Sequence, residues 1–167
     1  MSAQGTLLDN FTPQQSLNWR TINDGVMGGM SNSQMNILPE GIGKFSGKVS
    51  LENNGGFAST RATLAQPLTN SYTKVVIKVK GDGKKYSFRI QPDNNFERVS
   101  YKQDFQTESD SWLIIELPLK DFIPTWRGRI LPNQPVIEAT KIQQIGFLIS
   151  AKQEGSFELL VDWIKLE

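Results

Sequence analysis

Hydrophobic and polar positions alternate with a period of two through most of the chain. From Ile42 to Leu51, Phe45, Gly47, Val49 and Leu51 fall on one face and Lys44, Ser46, Lys48 and Ser50 on the other, which is the pattern of a half-buried strand. Val75, Ile77 and Val79 alternate with Lys74, Val76, Lys78 and Lys80, and Tyr86, Phe88 and Ile90 alternate with Lys85, Ser87, Arg89 and Gln91. With Gly81-Asp-Gly83 between them, these two runs read as a β-hairpin. Asn53-Asn-Gly-Gly56 reads as a second turn, because Asn-Gly suits the primed hairpin turns. Further strands are expected around Leu7–Phe11, over Ser33–Leu38, over Phe57–Leu64, around Val99–Phe105, over Trp112–Leu117 and at Ile145–Ile149. The last, Phe157–Leu166, places Phe157, Leu159, Val161 and Trp163 on one side. Phe122–Arg129 reads as a loop holding Pro124 and Trp126, and Glu138–Gln144 as one helical turn.

The count is about ten strands at the spacing of a sandwich or barrel. No long segment has the helical period, which disfavours a parallel βαβ sheet. The expectation is all-β: one antiparallel β-sandwich domain over residues 1–167. Between Trp19 and Ser31 the pattern breaks. Gly25, Gly28 and Gly29 permit backbone angles closed to other residues, Asn23 and Asp24 favour turns, and Met27 and Met30 fill irregular gaps. The stretch reads as an ordered loop pinned by Trp19.

Composition narrows the chemistry. Hydrophobic residues make up 38% of the chain, and the formal net charge is +1, so there is no bulk attraction to nucleic acid or anionic membrane. There is no cysteine and no histidine. That excludes a Ser-His-Asp triad, a Cys-His pair, zinc-thiolate sites and His-based metal centres. No catalytic residue, cofactor or metal site is expected. Asp82, Asp93, Asp104 and Asp110 lie by turns, but without calcium-loop spacing. The N-terminus lacks a basic start and an apolar run, and no run reaches membrane-spanning length. A cytoplasmic protein is expected, or one of an organelle's soluble phase if a transit peptide has been removed.

Several motifs then recur in order: Trp19 with Asn23-Asp-Gly-Val-Met-Gly-Gly29 and Ser31; Phe45-Ser-Gly47; Asn53-Asn-Gly-Gly-Phe-Ala-Ser59; Gly81-Asp-Gly-Lys-Lys-Tyr86; Arg127-Gly-Arg129; Ile145-Gly-Phe147; Asp162-Trp-Ile164. Together they resemble the CIA30 family, proteins similar to the mitochondrial complex I intermediate-associated protein. The resemblance implies a galactose-binding-like jelly roll. It also implies a non-catalytic assembly chaperone for a membrane electron-transfer complex, respiratory or photosynthetic, meeting the membrane through partner subunits. It carries no catalytic residues.

Candidate contacts stay open between structural and binding roles. The glycine loop (Asn23, Asp24, Met27, Met30) is either a binding lip or an ordered connection. Asn53 and Asn54 either hydrogen-bond sugar hydroxyls or simply turn the chain. Trp126, with Arg127 and Arg129, suits an exposed contact. The lysine-rich hairpin (Lys78, Lys80, Lys84, Lys85) is either an RNA- or lipid-facing surface or a solvated face. The partners these imply are subunits of the complex, with carbohydrate or RNA as alternatives.

Overall fold

The computed structural model describes residues 5–23, 31–52, 56–92, 99–126, 129–150 and 153–167, with the backbone alone for Asn23. Thirteen strands are present among them: β1 (Thr6–Asp9), β2 (Arg20–Asn23), β3 (Asn32–Leu38), β4 (Ile42–Val49), β5 (Ala58–Thr63), β6 (Lys74–Lys80), β7 (Lys85–Gln91), β8 (Ser100–Gln106), β9 (Trp112–Pro118), β10 (Ile123–Trp126), β11 (Arg129–Ile130), β12 (Gln144–Ile149) and β13 (Gly155–Leu166). Short 3-10 turns at Leu119–Asp121 and Ala139–Lys141 also occur among the described residues. The second lies within the helical turn expected over Glu138–Gln144.

The strands form two antiparallel sheets. One has six strands, in the order β3-β4-β13-β6-β9 with β1 also on β13. The other has seven, in the order β11-β10-β8-β7-β12-β5-β2. The inward halves of the alternating runs meet between them. Phe45, Ile77, Leu159 and Val161 from one sheet and Phe88, Ile90, Phe147 and Ile149 from the other are fully buried. Phe88 meets Phe147 edge-on at 5.3 Å, and Phe45 meets Phe157 at 5.0 Å. Each such side chain contributes about 1.5–3 kcal/mol on burial. The expected all-β antiparallel sandwich is therefore observed, with three strands beyond the expected ten: β2, β10 and β11.

Both expected hairpins are corrected. β4 pairs with β3 and β13, whereas β5 pairs with β12 and β2. Likewise β6 pairs with β13 and β9, whereas β7 pairs with β8 and β12. The chain at Gly81–Gly83 crosses from one sheet to the other, a step of about 10 Å. Asp82 fixes this crossing. Its carboxylate accepts from Lys84 N at 3.2 Å, from the Tyr86 hydroxyl at 3.0 Å and from Glu158 N at 2.9 Å. A Cβ on Gly81 would lie 2.3 Å from Thr107.

Two smaller differences have local causes. On β13 the register shifts between Val161 and Trp163. This bulge turns Ile164 and Leu166 inward and leaves Trp163 beneath the Lys165 ammonium at 4.7 Å. The expected loop over Phe122–Arg129 is instead a short strand pair, Thr125 facing Ile130 and Trp126 facing Arg129.

Trp19 is held on several sides, while the glycine loop it was expected to pin lies, over residues 24–30, outside the described residues. The Trp19 ring stacks between Phe11 (5.7 Å) and Phe147 (6.1 Å). Its indole N–H donates to the buried Asp9 carboxylate at 2.8 Å, which also accepts from Phe11 N, Leu17 N and the Ser16 hydroxyl.

Candidate functional site

The two sheets present outer faces of different character. On the seven-stranded sheet the register aligns distant residues in one row. Arg20 faces Arg61, Arg61 faces Gly146, Gly146 faces Arg89, Arg89 faces Lys102, and Lys102 faces Ile123. The neighbours of these residues along each strand point into the core, so the row faces away from it. It contains four cations and no acid. From Arg20 to Lys102 it crosses five strands, about 19 Å at the usual strand spacing. Like charges directly opposite one another destabilise a sheet, and two such pairs, Arg20/Arg61 and Arg89/Lys102, occur here.

Gly146 leaves a gap between Arg61 and Arg89, about 10 Å from strand to strand. A small depression of ≈ 20 Å³ opens there, lined among others by Ser59, Gln91, Ser100 and Gln144. Glycine is required, because a Cβ would stand 2.5 Å from the Thr60 carbonyl oxygen. The rows on either side supply hydroxyls and amides. Ser59 donates to the Ile22 carbonyl at 2.6 Å and Thr125 to the Ser100 carbonyl at 2.9 Å. Arg61 donates from Nη1 to Gln91 Oε1, and Arg89 from Nε to Ser100 Oγ, both at 3.1 Å.

The charges feel one another. Burial, followed by the charge of Arg20, lowers the Arg61 pKa. Burial and then the Arg61 charge push Arg89 down to about 10, with Asp104 opposing. Asp104 sits at the margin, 3.6 Å from Lys102 and 3.5 Å from Lys85, and accepts a short hydrogen bond from Ser87. Burial works against its ionisation, but the Ser87 bond and the two lysines outweigh that, and its pKa is lowered.

The row runs out at an apolar edge. Ile123 (40% exposed), Trp126 (39%) and Ile130 (67%) lie on β10 and β11. Arg129, cross-strand partner of Trp126, is exposed. Among the expected contact residues, the structure thus brings Trp126 and Arg129 together at this edge. Asn23 contributes its backbone to β2. Asp24, Met27, Met30, Asn53, Asn54 and Arg127 lie outside the described residues. A wider groove of ≈ 490 Å³, lined by Val99, Tyr101, Pro135, Val136 and Ile137 with a few polar neighbours, opens elsewhere on the surface.

The lysine-rich hairpin does not exist as a unit. Lys78 and Lys80 belong to the six-stranded sheet, Lys85 to the seven-stranded one, and Lys84 to the crossing between them. Lys78 lies 3.3 Å from Asp162, Lys84 4.0 Å from Asp82 and Lys85 3.5 Å from Asp104. Asp82 and Asp104 are engaged by these donors. No group of three potential metal-binding side chains occurs among the described residues. Among them, too, no helix is long and apolar enough to cross a membrane.

Comparison with known proteins places this geometry in context. The family model described as "Complex I intermediate-associated protein 30 (CIA30)" matches residues 9–161. A Drosophila melanogaster protein named complex I intermediate-associated protein 30, mitochondrial, is 25% identical, the match covering 89% of this chain and 58% of the fly protein. An uncharacterized Schizosaccharomyces pombe protein is 27% identical over 90% of this chain and 80% of its own length. The chain thus spans a little over half the fly relative. Among solved structures, a family 11 carbohydrate-binding module from Clostridium thermocellum, in complex with a β-1,3-1,4-mixed-linked tetrasaccharide, superposes with a TM-score of 0.71. It shares 20% identity, with 99% of this chain and 96% of that one covered. At that identity the likeness is one of fold.

Proposed function

The chain belongs to the Complex I intermediate-associated protein 30 family, and from that premise we propose that it is a non-catalytic docking module. Its role is to help assemble a membrane-bound electron-transfer complex related to respiratory complex I. The family match over residues 9–161 carries this reading. The lack of histidine and cysteine supports it, and so does a surface whose polar groups are spread along a sheet face. Residues 1–167 act as one module in the soluble phase, cytoplasmic or organellar, and reach the membrane through the partner subunit. The seven-stranded face, with Trp126 and Arg129 at its edge, holds an incomplete subunit transiently and releases it on assembly. Aromatic and arginine side chains are the usual anchors of such contacts.

Deleting the gene and resolving membrane complexes on native gels tests this. The expected result is loss of the mature NADH dehydrogenase-type complex with accumulation of subassemblies. Normal complex levels, with no subunit recovered on affinity purification, would contradict it. The shared fold and the exposed Trp126, a side chain able to stack on a sugar ring, favour carbohydrate binding as a second reading. A reproducible hit on a glycan array would raise it above assembly.

A further inference from the structure

We propose that β9 is a self-pairing edge: two copies of this chain join through it, antiparallel about a two-fold axis at Ile114, so that their six-stranded sheets become one continuous sheet. The inference goes beyond the docking reading above, because this pairing leaves the seven-stranded face open.

β9 closes one end of the six-stranded sheet, and among the described strands it pairs with β6 alone, in unbroken register from Trp112 to Pro118. The outward N–H and C=O groups of an edge strand are a template for another strand. Among the described residues no backbone hydrogen bond outside the β6 ladder reaches Trp112–Leu117. Gln103 Nε2 covers only the end, donating to the Pro118 carbonyl at 3.0 Å. Proteins guard edges with short strands, bulges, lysines or a polar sequence. The other edges follow this rule: β2 has four residues and β11 two, and β3 carries Asn32, Ser33, Gln34 and Asn36. β9 has seven residues, Trp112-Leu-Ile-Ile-Glu-Leu-Pro118, with no lysine and no bulge. Ile114 is 64% exposed on its outer side. Leu113 and Ile115 face the core yet stay only half-buried, because no strand lies beyond them.

The charge pattern selects the occupant. The lone charge on β9 is Glu116, which Lys74 on β6 answers. An antiparallel copy centred on Leu113 would set Glu116 against the copy's Asp110, like against like. Centred on Ile115, it would set Ile114 against the copy's Glu116. Centred on Ile114, it sets Ile114 on Ile114 and Leu113 on Ile115, covers both half-buried side chains, and keeps the two Glu116 carboxylates about 14 Å apart along the strands. The strand is thus complementary to itself, and a second copy is its occupant. An edge about 23 Å long buries less than the roughly 1,200 Å² of stable complexes, so the dimer is weak and concentration-dependent.

Sedimentation velocity of the full chain, from about 5 to about 500 μM, tests this over the range of weak complexes. A reversible monomer–dimer equilibrium is expected. Ile114→Lys puts two ammonium groups across the axis and should weaken the dimer about tenfold or more, whereas Gln34→Lys on β3 should leave it unchanged. Cross-linking maps the register. The chain has no cysteine, and facing residues of an antiparallel pair, with Cα atoms about 4.5–5.5 Å apart, lie within disulfide reach. Under mild oxidation Ile114→Cys should form a linked dimer, and Trp112→Cys should link to Glu116→Cys when the two variants are mixed. Should Ile114→Lys fail to fold, that mixed pair reads the same contact.

A monomer at every concentration overturns the proposal, whether or not it takes up a foreign strand peptide. So does a dimer that Ile114→Lys leaves unchanged, or one that Gln34→Cys links as readily as Ile114→Cys.

Discussion

The outer faces of the two sheets carry similar numbers of cations but treat them differently. On the six-stranded sheet four lysines are answered locally. Lys44 pairs with Glu158 at 3.3 Å, Lys78 with Asp162 at 3.3 Å, Lys165 with Glu167 at 2.9 Å, and Lys74 with Glu116 and Glu167. Two of them also rest over tryptophan rings, Lys78 on Trp112 and Lys165 on Trp163. On the seven-stranded sheet four cations stand in one row around a glycine gap, with Asp104 at the margin. A face whose charges are already answered has little electrostatic incentive to bind. The seven-stranded face instead groups its cations in one row, with Lys102 and Lys85 sharing the single carboxylate of Asp104. Cationic composition is thus a poor guide to a binding surface, and the arrangement of the cations is a better one.

The largest expected effect comes from filling the gap. Gly146→Val should destabilise the fold by about 1–3 kcal/mol, because the new side chain meets the Thr60 carbonyl. Chemical denaturation measures this, and an unchanged midpoint would show that the row tolerates a central side chain. Next is Asp104→Asn, which removes the row's marginal acid. A loss of about 1 kcal/mol is expected, more than for Glu158→Gln on the opposite face. Equal losses would erase the contrast between the faces.

Acid titration sharpens the same point. The folded-state pKa of Asp104 is lowered, so its contribution is present above the unfolded carboxylate range and is lost as pH falls through the folded value. The acid limb of the stability curve should therefore be shallower in Asp104→Asn. At the alkaline end, burial, then the Asp82 charge and its hydrogen bond, raise Tyr86 far above its ordinary value. That stability is present below pH ~10 and lost above it, and Tyr86→Phe should flatten the decline. The smallest expected effect is salt-dependent. Between 0.05 and 0.5 M salt, screening should relieve the row's repulsion while weakening the pairs opposite, a range over which the Debye length falls below about 10 Å. Parent and R89Q should then differ in the slope of melting temperature against salt.

Much of the fold was legible because alternation is local. Val75, Ile77 and Val79, like Tyr86, Phe88 and Ile90, announce their strands from their own neighbours. Which strands pair was not legible. A glycine-rich turn between two alternating runs looks the same whether the chain folds back within a sheet or crosses to the other, and at Gly81–Gly83 it crosses. The bulge that turns Trp163 outward was hidden for a related reason, since an extra residue in a strand leaves the composition unchanged. β10 and β11 escaped notice because they are too short to show a period.

The binding surface was legible in part. Trp126 and Arg129 were visible as an aromatic and a cation close in sequence, and they do share an edge. The cation row was not visible. Arg89 appeared only as one cation of a supposed hairpin, and Arg20, Arg61 and Lys102 lie far apart along the chain. They become neighbours only through the register of β2, β5, β12, β7 and β8. A site assembled across strands leaves little trace in a sequence beyond an outward arginine on several alternating runs.

The most direct measurement is a paired complementation in a strain lacking the gene, with R61Q/R89Q on one face and K44Q/K48Q on the other, read as the amount of mature membrane complex on native gels. The account predicts that K44Q/K48Q restores the complex to the parental level while R61Q/R89Q, expressed as a folded protein in equal amount, does not. Full restoration by both, or failure of both, would contradict the assignment of docking to the seven-stranded face.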